Sequence, residues 1–139
     1  MVLEVGSGPL ISGLVSASRW ADLLIYSDLL ETNLCRISST LRALSSDPAC
    51  PSLEYIAGLE DSSPEMLRAR LGRTVSLVTR CDLLRPGLLT PSLPLTSPPN
   101  VLVSKLCLEF SISHTDLLQP TLANLSAILG QYFCLGIIT

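Results

Sequence analysis

Charge is scarce in this sequence of 139 residues. Asp, Glu, Lys and Arg together make up 15%, against about 25% in an average soluble domain. The balance is slightly acidic, with a formal charge of −3, and Lys and Arg nowhere run together. A polyphosphate backbone or an anionic bilayer needs a basic patch, so neither nucleic acid nor a membrane is implied as a partner. No apolar run approaches the ~20 residues that cross a bilayer. The longest, Tyr132 to Ile138, has the length of a strand. Histidine occurs once, as His114, and Cys35, Cys50, Cys81, Cys107 and Cys134 are scattered with no C-x-x-C spacing. Neither a zinc site nor a disulfide framework is indicated. An odd set of scattered thiols fits a reducing compartment, and no secretory leader pattern follows Met1. A soluble cytoplasmic protein is expected.

Apolar residues are plentiful, at 47%. Low charge with high apolar content suggests strands buried on both faces, as in a parallel sheet covered by helices. The length fits one domain over residues 1–139. Val2 to Val5 reads as a buried strand that ends in the turn Gly6-Ser7-Gly8-Pro9. A helix follows through Leu10, Ile11, Leu14 and Val15, with Pro9 in its first turn. Residues 23–27 form a second strand ending at Asp28. Leu30, Leu34, Ile37, Leu41 and Leu44 then mark the clearest amphipathic helix. A short helix near Leu53–Ala57 precedes a helix from Ser63-Pro64-Glu65 to Leu71, where Ser63 reads as the cap. Thr74 to Arg80 is a β-branched third strand ending at Cys81-Asp82. Residues 85–99, rich in proline, form an irregular connector. Val101 to Leu106 is a fourth strand, a helix carries Leu118, Leu122, Leu125 and Leu129, and Tyr132 to Ile138 is a fifth strand. Strands alternating with helices imply right-handed βαβ units and a parallel sheet.

The chemistry gathers at strand ends. Glycines at 6 and 8 allow a sharp turn and a close ligand approach to the main chain. Asp28 follows Gly6 by twenty-two residues, at the end of the second strand, where a carboxylate can accept from both hydroxyls of a ribose or cap the next helix. Asp82 ends the third strand, and residues 104–109 end the fourth. All fall on the sheet edge where ligands of open α/β sheets bind. A dinucleotide fingerprint would need a third glycine at position 11, where Ile11 stands, and Gly13 comes two residues late. Trp20 and Tyr26 read as packing residues, Glu60-Asp61 as a solvated acidic pair, Cys107 as a small pocket-lining residue and His114 as a loop residue.

The segment Val2-Leu3-Glu4-Val5-Gly6-Ser7-Gly8-Pro9 resembles the first motif of the nicotinamide, phenylethanolamine and thioether (indolethylamine) N-methyltransferases. The resemblance continues through Leu14-Val15-Ser16-Ala17. It resumes at Ser27-Asp28-Leu29-Leu30-Glu31-Thr32-Asn33, at Leu71-Gly72-Arg73-Thr74-Val75 to Arg80-Cys81-Asp82, and at Leu102-Val103-Ser104-Lys105-Leu106-Cys107-Leu108-Glu109. It implies a Rossmann-like methyltransferase fold: a three-layer αβα arrangement of five parallel strands in the order 3-2-1-4-5, stopping before the family's last strands. It also implies S-adenosyl-L-methionine as cofactor and N-methylation of a small amine or pyridine nitrogen by a monomer.

By that resemblance Gly6 and Gly8 line the methionine part of the cofactor, and Asp28 and Asn33 meet its ribose. Asp82 and the backbone at Leu83 meet the adenine, and Ser12 and Lys105 lie near the cofactor. Glu109 faces the acceptor amine as its proton acceptor. Ser12 stands where the family has Tyr, Lys105 where it often has a small or hydroxyl residue, and Gly130-Gln131-Tyr132 where it usually has Pro-Gly-Gly. The family extends beyond both ends of this sequence, so a core lacking a lid and part of the acceptor pocket is expected. A non-catalytic module that retains the fold is the alternative.

Overall fold

A strand buried at every position needs neighbours on both sides and cover on both faces, and β1 (Val2–Val5) has them. It lies between β2 (Leu23–Asp28) and β5 (Val101–Ser104), parallel to both. β3 (Val75–Cys81) pairs in parallel with β2, and β4 (Leu89–Thr90) pairs antiparallel with the end of β3. The structure, a computed structural model, describes residues 1–44, 50–90, 97–104 and 115–129. The expected fifth strand, Gly130-Gln131-Tyr132, Lys105, Cys107, Glu109 and His114 lie outside the described residues.

The four parallel strands stand in the order expected, 3-2-1 followed by the strand at 101–104, and the fold is Rossmann-like α/β. β4 departs from the irregular connector that the prolines of residues 85–99 predict. Leu88 folds back with φ of +52°, and its carbonyl accepts from the Asp82 N–H at 2.9 Å. That return brings Leu89 opposite Cys81. Pro91 follows immediately in the sequence and has no N–H with which to extend a ladder.

Among the described residues, the two faces of the sheet are covered unequally. One face carries Val2, Leu24 and Tyr26, packed with α1 (Ser12–Val15), α2 (Glu31–Ala43), α3 (Pro51–Leu59) and α4 (Pro64–Arg73). Ile11, Leu14, Ile37, Leu53 and Leu67 supply that packing. The other face carries Leu3, Val5, Ile25 and Leu102, covered by Leu83, Leu88 and Leu89 and by Leu125 of α5 (Leu118–Leu129). Three layers result, with β1 and β2 at the centre.

Local signals explain the helix starts. Ser63 accepts from the Met66 N–H at 3.2 Å, with Pro64 in the first turn, so one orphan donor is satisfied by the cap. Pro51 likewise opens α3. α1 begins at Ser12 instead of at Pro9: Gly8 and Pro9 are used up in the turn, and Leu10 is 55% exposed. Leu30 is also exposed, because it is the extended N-cap of α2 and precedes the buried stripe of Leu34 and Ile37. Two further readings are corrected. Trp20 is exposed at the end of a 3₁₀ turn spanning Ser16–Arg19, so only Tyr26 packs. Glu60 is held by Arg70 through two bonds, of 2.8 and 3.2 Å, with both side chains mostly covered.

Candidate functional site

The end of β1 is tied to β2 before the glycine turn begins. Ser27 Oγ donates to the Glu4 carbonyl at 2.6 Å, and Ser7 Oγ accepts from the Ser27 N–H at 3.1 Å. The Ser27 carbonyl accepts from the N–H groups of both Gly6 and Ser7 at 2.9 Å. Gly6 and Gly8 take φ of +73° and +65°, a region that costs other residues roughly 1 kcal/mol or more. A Cβ placed on Gly8 would meet no heavy atom within 4 Å. The glycine is therefore required by backbone conformation, and the space above it is open.

That turn delivers the Gly8 N–H to Asp28, whose Oδ2 accepts it at 2.8 Å. Asp28 Oδ1 accepts from the Leu30 N–H at 2.9 Å and from Asn33 Nδ2 at 3.0 Å. Asp28 is only 7% exposed, and a buried carboxylate needs such donors to offset its lost hydration. Asp28 is not itself the N-cap of α2, which is Leu30 without a side-chain cap bond; it bonds the Leu30 N–H just ahead of the helix and the Gly8 N–H of the glycine turn. The turn, the carboxylate and Asn33 are thus brought together in one cluster.

Asp82 lies further along the same edge and is occupied by its own turn. Its Oδ1 accepts from the Leu84 N–H at 3.1 Å, and its Oδ2 lies 3.5 Å from Arg85 Nε. Leu83 is buried, and its carbonyl accepts from Asn124 Nδ2 of α5 at 3.1 Å. Ser104 ends β5 level with Val5 and Ser27. Ser12 is half-buried as the first residue of α1. Lys105 and Glu109, assigned to cofactor and acceptor, lie outside the described residues.

Several residues here had no signal in the sequence. Ser7, Ser27 and Asn124 act through contacts across elements, and a lone serine or asparagine announces none of them. Gly13 in the sequence signals only a misplaced fingerprint glycine. In the structure it makes room for Glu4, since a Cβ at Gly13 would overlap the Glu4 carboxylate, which is 1% exposed. Beside Glu4 on β2 stands Tyr26, and burial, with the nearby Glu4 charge, pushes its phenol well above the ordinary tyrosine range.

Fold and edge together define a class: an open parallel α/β sheet whose glycine turn is hydrogen-bonded to the carboxylate ending the neighbouring strand. No family model matches the chain. Among curated proteins it is similar to the nicotinamide N-methyltransferase of Sus scrofa, with 27% identity over 139 aligned positions, which take in 93% of this chain and 49% of that protein. The chain spans about half the length of that protein.

Proposed function

We propose that this chain is the cofactor-binding core of an S-adenosylmethionine-dependent N-methyltransferase acting on a small amine or pyridine nitrogen. The observation that carries the reading is the 2.8 Å hydrogen bond from the Gly8 N–H to Asp28 Oδ2, which fixes a glycine turn and a carboxylate on one rim. The similarity to nicotinamide N-methyltransferase supports the same reaction class.

The residues fit a nucleoside cofactor. Open space lies over Gly8, suited to a ligand chain running along the turn. Asp28 would take the ribose hydroxyls, with Asn33 beside it, and the Asp82–Leu83 turn would border the adenine. S-adenosylmethionine, when bound, supplies an already activated methyl group. The protein's own work is then to aim the acceptor lone pair, exclude water and receive a proton. Glu109 is the residue proposed to receive that proton from the acceptor amine.

Titration calorimetry with S-adenosylhomocysteine tests the reading on the wild-type chain and on Asp28→Ala. Binding lost or weakened at least about tenfold in the variant is expected, as for a removed charge-assisted bond. Equal heats from the two proteins would take Asp28 out of the site. Ser12, standing where the family has Tyr, favours one second reading, a methyltransferase-like module that binds cofactor without turnover. Methyl transfer to nicotinamide or an arylethylamine by the 139-residue chain would reject that second reading.

A further inference from the structure

Asp28 is nearly saturated by its own protein. A carboxylate offers about four lone-pair sites. The Gly8 N–H takes one on Oδ2, and the Leu30 N–H and Asn33 Nδ2 take two on Oδ1. One site, on Oδ2, stays open. A vicinal diol that addresses both oxygens donates two hydrogens, so one donor now in place must leave.

The three donors are not equally free to go. The Gly8 N–H belongs to a backbone held at φ of +65° by a turn already bonded to Ser27. The Leu30 N–H belongs to the cap of α2, whose carbonyl accepts from the N–H groups of Asn33 and Leu34 at 3.0 and 3.2 Å. Moving Leu30 would break the first turn of that helix. The Asn33 side chain has no such tie: its backbone is anchored by Leu30 whatever its χ angles are, and the residue is half-buried at the edge. Rotation about χ1 releases the amide without moving the backbone of α2, and the incoming diol replaces the bond that is lost.

We infer that Asn33 is a displaceable occupant of the Asp28 carboxylate: a vicinal diol replaces its amide on Oδ1, so binding at this edge exchanges one hydrogen bond for another. The inference rests on the nucleoside reading above and adds a specificity device to it. Without ligand, Asn33 keeps a mostly buried carboxylate satisfied and in one rotamer. A ligand with a single hydroxyl fits the open Oδ2 site and leaves Asn33 where it is. Only a diol drives the exchange.

The test is a nuclear magnetic resonance titration of the ¹⁵N-labelled 139-residue chain with S-adenosylhomocysteine, carried to millimolar concentration. The expected result is that the Asn33 side-chain NH₂ pair leaves its carboxylate-bonded position along the same saturation curve as the Gly8 backbone amide. The Leu30 amide keeps its protection throughout. Saturating shifts at Gly8 with an unmoved Asn33 pair overturn the exchange and leave the nucleoside reading standing. No shift at Gly6, Ser7 or Gly8 removes that reading, and the exchange falls with it.

Discussion

At the scale of single residues, the site was legible where a residue type has few other uses. Gly6 and Gly8 were marked by the turn they punctuate, and Asp28 by its place at a strand end. The pairing of Glu4 with Gly13 was not legible, because nothing in a sequence shows that a buried side chain from β1 lies where a helix would carry a Cβ. That overlap predicts the behaviour of Gly13→Ala. Alanine gains up to about 1 kcal/mol in helix propensity, but overpacking a filled interior costs about 1–3 kcal/mol, and the Glu4 carboxylate is buried. Net destabilisation of about 1–2 kcal/mol is expected in urea titrations. The same change made on a Glu4→Asp background should cost less, because the shorter acid withdraws from the helix. Equal costs on both backgrounds would refute the overlap. Tyr26 supplies a second prediction. Its hydroxyl is buried and has no hydrogen-bond partner among the described residues, so Tyr26→Phe should leave stability unchanged or raise it by up to about 1 kcal/mol. Because the phenol is pushed above its ordinary value, folding favours the protonated form. The wild-type chain therefore loses stability as pH climbs past the usual tyrosine range near 10. The phenylalanine variant should lack that part of the alkaline loss, as denaturant curves at pH 8 and above 10 will show.

At the scale of elements, hydrophobic spacing located α2, and cap chemistry located α4 at Ser63. What spacing could not reveal is how the elements lock together. Glu60 next to Asp61 looks like a solvated pair in sequence, yet Arg70 reaches it across ten positions and also donates from Nε to Ser18 Oγ at 3.1 Å. One guanidinium thereby joins α4, the end of α3 and the 3₁₀ turn after α1. The hydrogen bonds from Arg70 hold the Glu60 carboxyl below the ordinary carboxylate range. The stability this contributes is complete above the usual glutamate value and disappears as pH falls through the depressed one. Arg70→Ala should cost about 1–3 kcal/mol near neutrality, given that both side chains are mostly covered. Its acid unfolding curve should also be flatter below pH 4.5, because the group that linked proton uptake to unfolding is then close to normal. An unchanged acid slope would place the linkage elsewhere. β4 was missed for a related reason: a two-residue strand carries no periodicity, and only the return of the chain at Leu88 creates it.

At the scale of the whole molecule, the alternation of strands and helices was enough to point to a parallel sheet, while its order, β3-β2-β1-β5 among the parallel strands, was legible only through the family resemblance. The unequal cover of the two faces was not legible, since it depends on where four helices crowd and one does not. That inequality has a consequence for dynamics. The face carrying Tyr26 is sealed by α1 to α4, so exposing it requires the domain to unfold. Among the described helices, the opposite face has α5 alone. Among the described residues, that helix is held by Leu125, 2% exposed, by the buried Thr121, by the partly buried Ile128 and by the Asn124 bond to Leu83. Losing these contacts costs less than global unfolding, and regions with fewer buried apolar contacts open first. Native-state hydrogen exchange should therefore show amides of β1 and β2 exchanging only by global opening, with α5 exchanging through a separate event of lower free energy. Leu125→Ala should widen the gap, because a buried leucine truncated to alanine costs about 2–5 kcal/mol. The loss would fall on the α5 opening well before it removed the central strands. Since α5 also holds the Leu83 carbonyl, its opening would loosen the turn at Asp82, and a ligand that used that turn would slow the exchange of α5. Amides of α5 that exchange as slowly as those of β1, with and without S-adenosylhomocysteine, would show that the second face is as firmly closed as the first and would end this account of where the molecule yields.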